Sequence, residues 1–414
     1  MKIKIMIIGL LLMAISGSVH AVGLSSARAV AMGGAHMGLA RGSDAALYNP
    51  ANIGLAGYRQ NGLVLAGVGA EIVNNSFTLA DYNDYTGAIL TEDDKSVILG
   101  KIPSEGLVIS AEAEAGAMSL AMGSMVLSIN GFAATEANLG KDALELFLMG
   151  NQVNDTFSLE GMYSEAIAYA SAGLSFGQSI YKSGTRQLSL GATVKYIRGL
   201  AYEKVIELRG GVVTLATGFE GEGTMIARTA VGGTGYAVDI GAALRLNDSY
   251  TAGITFSNFI SNITWNNETQ EHYYHFEFDT LTIDNMEDDS IVVSDDYSED
   301  IDDFKSTLPS VMRIGLANTS GKLLWAIDYI QGFKLAAGAS SKPRLAGGIE
   351  YHLIGFLPLR AGYATGGGKG SVVSGGLGLN LPLFYLDLAV SNHSSFDFEA
   401  SKGLHLAASV GLRF

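Results

Sequence analysis

Single ionisable side chains recur along this 414-residue chain inside segments that are otherwise apolar or small. Four are acidic and four are basic: Lys195, Asp239, Arg245, Asp328, Glu350, Arg360, Asp387 and Arg413. In a polar interior they could pair with one another, which is the simpler interpretation, or they could line a path that selects charged solutes. A hydrolase would need a serine and an acid beside a histidine, and His272, His275 and His393 have no obvious partners of that kind. We therefore predict no catalytic residue, no defined metal site and no cofactor.

The amino terminus has the pattern of a secretory signal. Lys2 and Lys4 precede an apolar run over residues 5–15, and Val19-His20-Ala21 supplies small residues where a signal peptidase reads them. We expect cleavage near Ala21 and a mature chain that begins at Val22. The apolar run is about eleven residues, well short of the roughly 20 that a spanning helix needs.

Composition narrows the class of protein further. The chain contains 53 Gly, 6 Pro and no Cys, and 48% of its residues are hydrophobic. A chain without Cys has neither disulfides nor thiol chemistry. The net charge of −15 disfavours nucleic acid as a partner, because phosphate contacts need an excess of Lys and Arg.

The last eleven residues, Leu404–Phe414, alternate strictly between apolar and polar or small side chains. A strand has a side-chain period of two, so one face can meet lipid while the other faces a polar lumen. The chain ends on an aromatic residue, as do the terminal strands by which Gram-negative outer-membrane barrels are recognised for assembly. We predict localisation in the outer membrane, with outer-membrane lipid and, through Phe414, the barrel-assembly machinery as partners.

Turn spacing predicts fourteen antiparallel strands joined alternately by tight turns and long loops. The strands are expected at 61–73, 105–115, 117–130, 160–180, 186–199, 235–246, 250–265, 308–317, 323–331, 344–353, 358–365, 372–380, 384–392 and 404–414. Predicted tight turns lie at Gly116, 182–185, 247–249, 318–321, 354–357 and 381–383. We also expect an extra hairpin within residues 200–234. The fold class is therefore a 14-stranded transmembrane β-barrel, whose tight turns face the periplasm.

About forty residues between the signal and the first strand show no two-residue alternation. Within them, Arg28-Ala29-Val30-Ala31-Met32-Gly33-Gly34 and Asp44-Ala45-Ala46-Leu47-Tyr48-Asn49-Pro50-Ala51 resemble the amino-terminal signature of the FadL-like superfamily. That superfamily includes long-chain fatty acid transporters, PorV-like proteins of type IX secretion and uncharacterised families of Bacteroidetes-type bacteria. Leu308-Pro309-Ser310, the segment 325–333 and Lys342-Pro343-Arg344-Leu345 look like the uncharacterised branch, so the resemblance covers most of the mature chain.

The resemblance implies that residues 22–60 form a hatch inside a barrel of residues 61–414, with Asn49, Pro50 and Ala51 holding it. Leu47 and Tyr48 would then lie against the inner wall. Gly33 and Gly34 would let the backbone approach the wall closely. The hatch could simply seal the pore, or it could move to gate passage.

The resemblance also implies capture of an apolar ligand at helices outside the barrel and its sideways release through a wall opening. Residues 139–150 predict an amphipathic helix with Leu139, Leu144, Phe147 and Leu148 near one face, and Gly150 as its stop. It could capture a ligand or merely roof the mouth, flanked by a second helix, Thr91–Lys101. Lys101, Lys141 and Arg198 are candidates for binding a carboxylate by position alone.

The segment 266–307 is the acidic part of the chain, with eleven Asp or Glu between Asp279 and Asp303. Such a run is usually a solvated surface. Calcium bridging is the alternative, because hard cations bind several carboxylate oxygens. The spacing lacks the glycine and terminal glutamate of an EF-hand loop.

Taken together, these patterns favour a FadL-like channel for hydrophobic small molecules such as long-chain fatty acids. The alternative is a PorV-like scaffold or shuttle that binds exported proteins and moves no solute. A continuous apolar cavity from the helix at 139–150 into the lumen would favour the channel. A large apolar patch on the loops above a plugged lumen would favour the scaffold.

Overall fold

The protein is a closed antiparallel β-barrel, seen here in a computed structural model that describes residues 23–58, 60–150, 152–282, 285, 291–334, 336–337 and 339–414. The predicted signal peptide lies outside these residues. The strands are β1 (Gly62–Asn74), β2 (Leu107–Met122), β3 (Met125–Leu139), β4 (Thr156–Ser158), β5 (Tyr163–Ser183), β6 (Arg186–Leu215), β7 (Gly218–Ala230), β8 (Gly233–Arg245), β9 (Tyr250–Trp265), β10 (Gln270–Leu281), β11 (Val292–Asp300), β12 (Phe304–Ser306), β13 (Val311–Asn318), β14 (Leu323–Gly332), β15 (Arg344–Ile354), β16 (Leu357–Gly366), β17 (Ser371–Asn380), β18 (Phe384–His393) and β19 (Gly403–Arg413).

Fourteen of these strands form the wall: all except β4, β7, β10, β11 and β12. β1 closes the ring, because it pairs with β2 on one side and with β19 on the other; Leu63 lies opposite Leu412. The predicted fold class is confirmed. We call the end with the short connections the turn rim and the opposite end the loop rim. Within the described ranges, no helix has the length and apolar character to cross a membrane.

Alternation of side chains separates the two faces of the wall, as predicted. On β6, Val194 and Tyr196 are each 57% exposed and point outward, whereas Lys195 pairs with Asp239 on the inner face. Apolar side chains on the outer face suit contact with lipid, whereas polar side chains on the inner face are hydrogen-bonded.

The predicted turn at Gly116 is wrong. β2 runs through this residue to Met122, and the turn lies at residues 123–124, where Met122 faces Met125. Gly123 has φ +60°, a conformation that glycine adopts without steric cost. Gly116 instead sits beside a register shift in the β2–β3 ladder. β3 consequently extends to Leu139, nine residues beyond its predicted end.

The long loops form a second layer at the loop rim. β6 continues sixteen residues past its last pair with β8, at Gly199, and forms a hairpin with β7, which confirms the hairpin expected within 200–234. β7 pairs with β10, and β10 pairs with β11. Much of the acidic segment is therefore strand instead of loop, although the side chains of β11 after Val292 are all exposed.

The part of the chain that the structure describes also contains five α-helices. α1 (Ala27–Ala31) and α2 (Ser43–Tyr48) lie inside the lumen, followed there by a 3-10 turn, Pro50–Gly54. α3 (Leu79–Tyr85), α4 (Glu92–Lys101) and α5 (Lys141–Met149) lie at the loop rim. The predicted cap of α4 is present: the Thr91 hydroxyl accepts from the Asp94 N–H, and the Asp94 carboxylate accepts from the Thr91 N–H.

Candidate functional site

The segment 23–58, which we call the hatch, fills the lumen and is bound to the wall by three buried carboxylates. The first is Glu114 on β2. One of its oxygens accepts from the backbone N–H groups of Gly23 (2.9 Å) and Leu24 (2.8 Å), and the other accepts from the Ser25 hydroxyl (2.9 Å). Glu114 therefore fixes the start of the hatch.

Asp328 on β14 is the second carboxylate, and it is fully buried. Its Oδ2 accepts from the backbone N–H groups of His36 and Met37, both at 3.0 Å. Arg313 on the neighbouring strand donates to the same oxygen at 3.3 Å and to the Gly34 carbonyl at 2.8 Å. A wall ion pair thus also binds two backbone donors and one acceptor of the hatch.

Glu350 on β15 is the third carboxylate and the centre of a charge network. Arg28 of α1 donates two hydrogen bonds to it, at 2.7 and 2.9 Å. From the wall, Arg360 donates to Glu350 and to Asp387, each at 2.6 Å. Two guanidinium groups and two carboxylates balance in charge, and the network joins the hatch to three wall strands.

The Asn-Pro-Ala triplet sits directly on the wall, where glycines leave room for it. The Asn49 amide donates to the Ala242 carbonyl at 3.0 Å, and its oxygen accepts from the Ala51 N–H. A Cβ on Gly191 would lie 2.4 Å from the Pro50 carbonyl carbon and the Ala51 nitrogen. The structure places all three residues at the contact between the hatch and the wall; that they hold the hatch stays a prediction.

Gly33 and Gly34 differ in what they contribute. A Cβ on wall residue Gly362 would come within 2.2 Å of the Gly33 nitrogen, so the backbone approaches the wall closely at Gly33, as predicted. At Gly34 the expectation is wrong: a Cβ there would meet nothing within 4 Å. Its φ of +88° is the feature that requires glycine.

Tyr48 contacts both the hatch and the inner wall. The Tyr48 hydroxyl donates to the Gly23 carbonyl within the hatch (3.2 Å), and Arg313 of the wall stacks on its ring. Leu47 lines a small cavity of about 70 Å³ at the turn rim, between the hatch and strands β1 and β19.

A larger cavity of about 180 Å³ opens at the loop rim above the start of the hatch. Its apolar walls include Phe132, Ile167, Tyr169, Leu308 and Ala337, and Leu24 of the hatch packs against the same group. Three lysines also line it: Lys204, Lys305 and Lys334. Lys204 pairs with Glu165 at 3.1 Å, and Lys334 donates to the Thr307 hydroxyl at 3.3 Å. The cavity is amphiphilic, because its lining combines these apolar side chains with the three lysines, Glu165 and neutral polar groups.

The barrel wall is interrupted beside this cavity. β9 pairs with β13 up to Ser257 and with β12 from Ile263, and the described ladder has no pair between 258–262 and 307–310. Side chains bridge the gap: the Asn258 amide donates to the Pro309 carbonyl (3.1 Å), and the Ser261 hydroxyl donates to the Leu308 carbonyl (3.1 Å). Strand β13 is therefore shorter than predicted, because Pro309 cannot donate to a ladder.

The predicted capture residues on and near α5 form a roof. The helix begins at Lys141, not at 139; Leu139 ends β3, and Gly150 terminates the helix as predicted, with φ +74°. Leu144 and Leu148 pack on a cluster of Leu99, Ile102 and Leu107, with Leu139 beside them. Phe147 points outward and is 67% exposed.

The helix does not connect to the lumen through either cavity described above, since none of its residues lines them. The continuous apolar path that would favour the channel is thus absent from these two cavities. Two of the candidate carboxylate ligands are engaged elsewhere. Lys101 pairs with Asp81 of α3, and Lys141 donates to the Ile102 carbonyl at 3.0 Å.

The predicted lumen charges divide into three groups. Lys195 and Asp239 pair with each other, and Glu350, Arg360 and Asp387 form one network; this is the pairing we expected. Asp328 pairs with Arg313 instead of one of the predicted eight. Arg245 and Arg413 lie near the turn rim, where Arg245 pairs with Asp248 and Arg413 donates to the Asn380 side chain; for these two the expected mutual pairing is wrong.

Sequence reasoning missed several inward residues that bind the hatch or the mouth. These are Glu71, Glu112, Glu114, Arg313, Arg344 and Lys369. Strand alternation could have found five of them, because each is a charge between apolar or small neighbours on a strand. Lys369 lies in a glycine-rich connection, and alternation carries no signal there.

The structure also describes the groups considered for a hydrolase or a metal. His272 Nδ1 lies 2.7 Å from the Ser298 hydroxyl, but its Nε2 faces the Thr229 hydroxyl at 3.0 Å, where a triad would have a carboxylate. Among the described residues, no group of three or more His, Asp or Glu is arranged to hold a metal ion. Because 283–284 and 286–290 of the acidic segment lie outside the described residues, calcium bridging there stays an untested alternative to a solvated surface.

Comparison with known proteins identifies the fold. A model of a family of unknown function, DUF5723, matches residues 50–231. No curated protein matches the sequence. The toluene transporter TbuX of Ralstonia pickettii is 12% identical, with a TM-score of 0.53 over 96% of this chain and 99% of that one. The monoaromatic hydrocarbon channel CymD is 13% identical (TM-score 0.52; 96% and 99%), and a Pseudomonas aeruginosa FadL homologue is 12% identical (TM-score 0.52; 96% and 98%). This chain therefore has the fold of the FadL-type outer-membrane β-barrels.

Proposed function

We propose that this protein binds small hydrophobic molecules at the loop rim and passes them across the outer membrane. The amphiphilic cavity above the start of the hatch is the observation that carries the proposal. TbuX and CymD are described as a toluene transporter and a monoaromatic hydrocarbon channel, which agrees with this class of cargo.

The size of the cavity limits what it holds in this state. Its volume of about 180 Å³ is close to that of an apolar cavity of roughly 150 Å³ that accommodates benzene. One aromatic ring or a short aliphatic body therefore fits. A long-chain fatty acid, which the sequence resemblance implies, would fit only if the hatch or the loops moved. The surrounding lysines could bind a polar or anionic end of the cargo.

Onward movement needs either displacement of the hatch or an opening in the wall. The hatch is bound by Glu114, Asp328 and Glu350 through at least seven hydrogen bonds, so its displacement would be costly. The wall gap lacks ladder pairs between 258–262 and 307–310, and it borders the cavity through Asn258, Leu308 and Pro309. We favour sideways release through this gap.

Filling the cavity tests the binding site. In proteoliposomes we expect Ala337→Trp to reduce toluene uptake to the level of protein-free vesicles. The indole would occupy the space that one aromatic ring of the cargo needs. Ala88→Trp, at an exposed position in a loop at the loop rim, is the matched control and should leave uptake unchanged. Equal uptake by the two variants would contradict the proposed site.

A disulfide across the gap tests the route. The chain has no cysteine, so Ser261→Cys with Leu308→Cys introduces the only pair. Oxidation should stop uptake, and reduction should restore it. Full uptake by the oxidised protein would exclude sideways release and leave the hatch as the route.

The scaffold function remains a second candidate because the roof exposes apolar side chains. Ile89 is 98% exposed, Phe147 67% and Tyr82 66%. Such residues are common at protein interfaces. A secreted protein that copurifies with the wild type and is lost from Phe147→Ser would favour a scaffold, particularly if toluene uptake were undetectable.

Placement in the outer membrane involves partners that we also propose. The signal would be cleaved near Ala21, and the assembly machinery would recognise the terminal strand ending at Phe414. This strand lies at the seam of the barrel: β19 pairs with β1, and the Phe414 N–H donates to the Asn61 carbonyl. The Phe414 side chain is 66% exposed on the turn rim, where lipid or an assembly factor can contact it.

A further inference from the structure

We propose that the connection Gly366–Gly370 between β16 and β17 is a strap that closes part of the lumen at the loop rim, with Lys369 as its electrostatic latch. The Lys369 ammonium pairs with Glu71 of β1 and with Glu112 of β2, the latter at 3.0 Å. The lysine is only 7% exposed, although it belongs to a connection at the rim.

The order of the wall strands shows that this connection crosses the mouth. Going round the barrel from β17, the next strands are β18, β19, β1 and β2. Four spacings of about 4.8 Å give roughly 19 Å along the wall, well beyond the length of a lysine side chain. The backbone must therefore leave the wall and bend inward.

The sequence Gly-Gly-Gly-Lys-Gly suits such a bend. Gly366 and Gly370 have φ of +89° and +69°, and a Cβ on Gly366 would lie 2.2 Å from the Pro343 carbonyl oxygen. Glycine is the residue that adopts these angles without strain. Lys369 is the one residue of the connection that carries a side chain beyond Cα, so the loop is arranged to present a single cation.

The receiving site is built for a cation. Glu71 and Glu112 are 6% and 3% exposed. His393 Nε2 lies 2.8 Å from Glu71, and His405 Nδ1 lies 3.8 Å from the same carboxylate. Buried carboxylates are costly to leave without a cation, so withdrawal of the strap is opposed by both carboxylates together.

The strap is separate from the proposed binding cavity. The cavity is lined by β3, β5, β6, β9 and the segments before β13 and β15, whereas the strap covers the sector between β17 and β2. Binding of cargo and closure of this sector can therefore be tested independently.

A thiol reporter tests the latch. Ser391 of β18 is 2% exposed and lies two residues from His393. Its hydroxyl accepts a hydrogen bond from the Ser374 hydroxyl. In otherwise cysteine-free protein folded in vesicles, we expect Ser391→Cys to react slowly with a membrane-impermeant thiol reagent. Adding Lys369→Met should accelerate labelling about ten- to hundredfold, the equivalent of one or two charged hydrogen bonds.

Matched variants separate the latch from general loosening. Lys369→Arg should behave as wild type. Lys402→Met removes a nearby lysine at the same rim whose ammonium donates to the Asn75 carbonyl at 3.0 Å, and it should change nothing. Glu71→Gln with Glu112→Gln removes the latch from the other side and should open the strap, even if Lys369→Met fails to assemble. Unchanged labelling in Lys369→Met, or in the glutamine pair, would overturn the proposal.

Discussion

Replacing Glu350 with glutamine should release the hatch while the barrel stays closed. Glu350 has 2% of its side chain exposed and receives two hydrogen bonds from Arg28 and one from Arg360. Glutamine has nearly the same shape but no charge. Arg360 keeps its ion pair with Asp387 (2.6 Å), whereas Arg28 of the hatch loses its ion pair with residue 350.

The magnitude follows from this asymmetry. Removing one partner of a buried pair costs about 3–5 kcal/mol, and we expect the lower end, about 3 kcal/mol, because the Arg28 side chain is 18% exposed. At about 1.4 kcal/mol for each factor of ten, the population of a displaced hatch should rise roughly hundredfold.

Hydrogen exchange measures this population directly. Backbone amides of α1 and of residues 32–36 should exchange about a hundredfold faster in Glu350→Gln, and the wall amides should keep their protection. Asp239→Asn is the matched control, since Asp239 is a buried wall carboxylate that pairs with Lys195. The same acceleration in both variants, or none in Glu350→Gln, would refute the role of Glu350 as a clamp.

Three further predictions test other parts of the structure. Gly191→Val should prevent the Asn-Pro-Ala segment from seating, because a Cβ already falls 2.4 Å from Pro50; limited proteolysis should then cleave the hatch, while the heat-modifiable barrel band on a gel persists. The pKa of Asp81 is lowered: burial opposes its ionisation, but hydrogen bonds from Lys101 and Thr78 outweigh it. The contact between α3 and α4 should therefore be fully present above the usual aspartate pKa of about 3.9, and it should be lost as the pH falls through the lowered pKa of Asp81. Asp81→Asn should reproduce this loss at neutral pH as faster hydrogen exchange of the α3 amides. Unchanged exchange in Asp81→Asn would contradict the prediction. Deleting Phe414 should reduce the amount of folded barrel in outer membranes of expressing cells, and an undiminished yield would exclude its role in assembly.

The wall could be predicted from the sequence because its rule is local. Side-chain alternation and turn residues place most of the strands within a few positions, as at β18 and β19. The rule failed where glycine has more than one use: Gly116 accompanies a register shift within the ladder, and the turn falls at Gly123.

The binding of the hatch by the three wall carboxylates could not be predicted, because each carboxylate and its partners in the hatch are far apart in the sequence. Glu350 and Arg28 are 322 residues apart, and Glu114 and Gly23 are 91 residues apart. Alternation shows that a carboxylate faces inward, but the hatch backbone that it binds depends on how the hatch folds. The cavity could not be predicted for the same reason, because its lysines come from β6, β12 and the segment after β14, which are distant in the sequence.

The central claim is that a small hydrophobic molecule binds between the hatch and the loops. The most direct measurement is a crystal structure of the purified protein with bromobenzene, read from the anomalous signal of bromine. We predict a bromine peak in the loop-rim cavity, between Phe132, Tyr169 and Leu308. An empty cavity in crystals whose bromine lies only on the lipid-facing surface would contradict the claim.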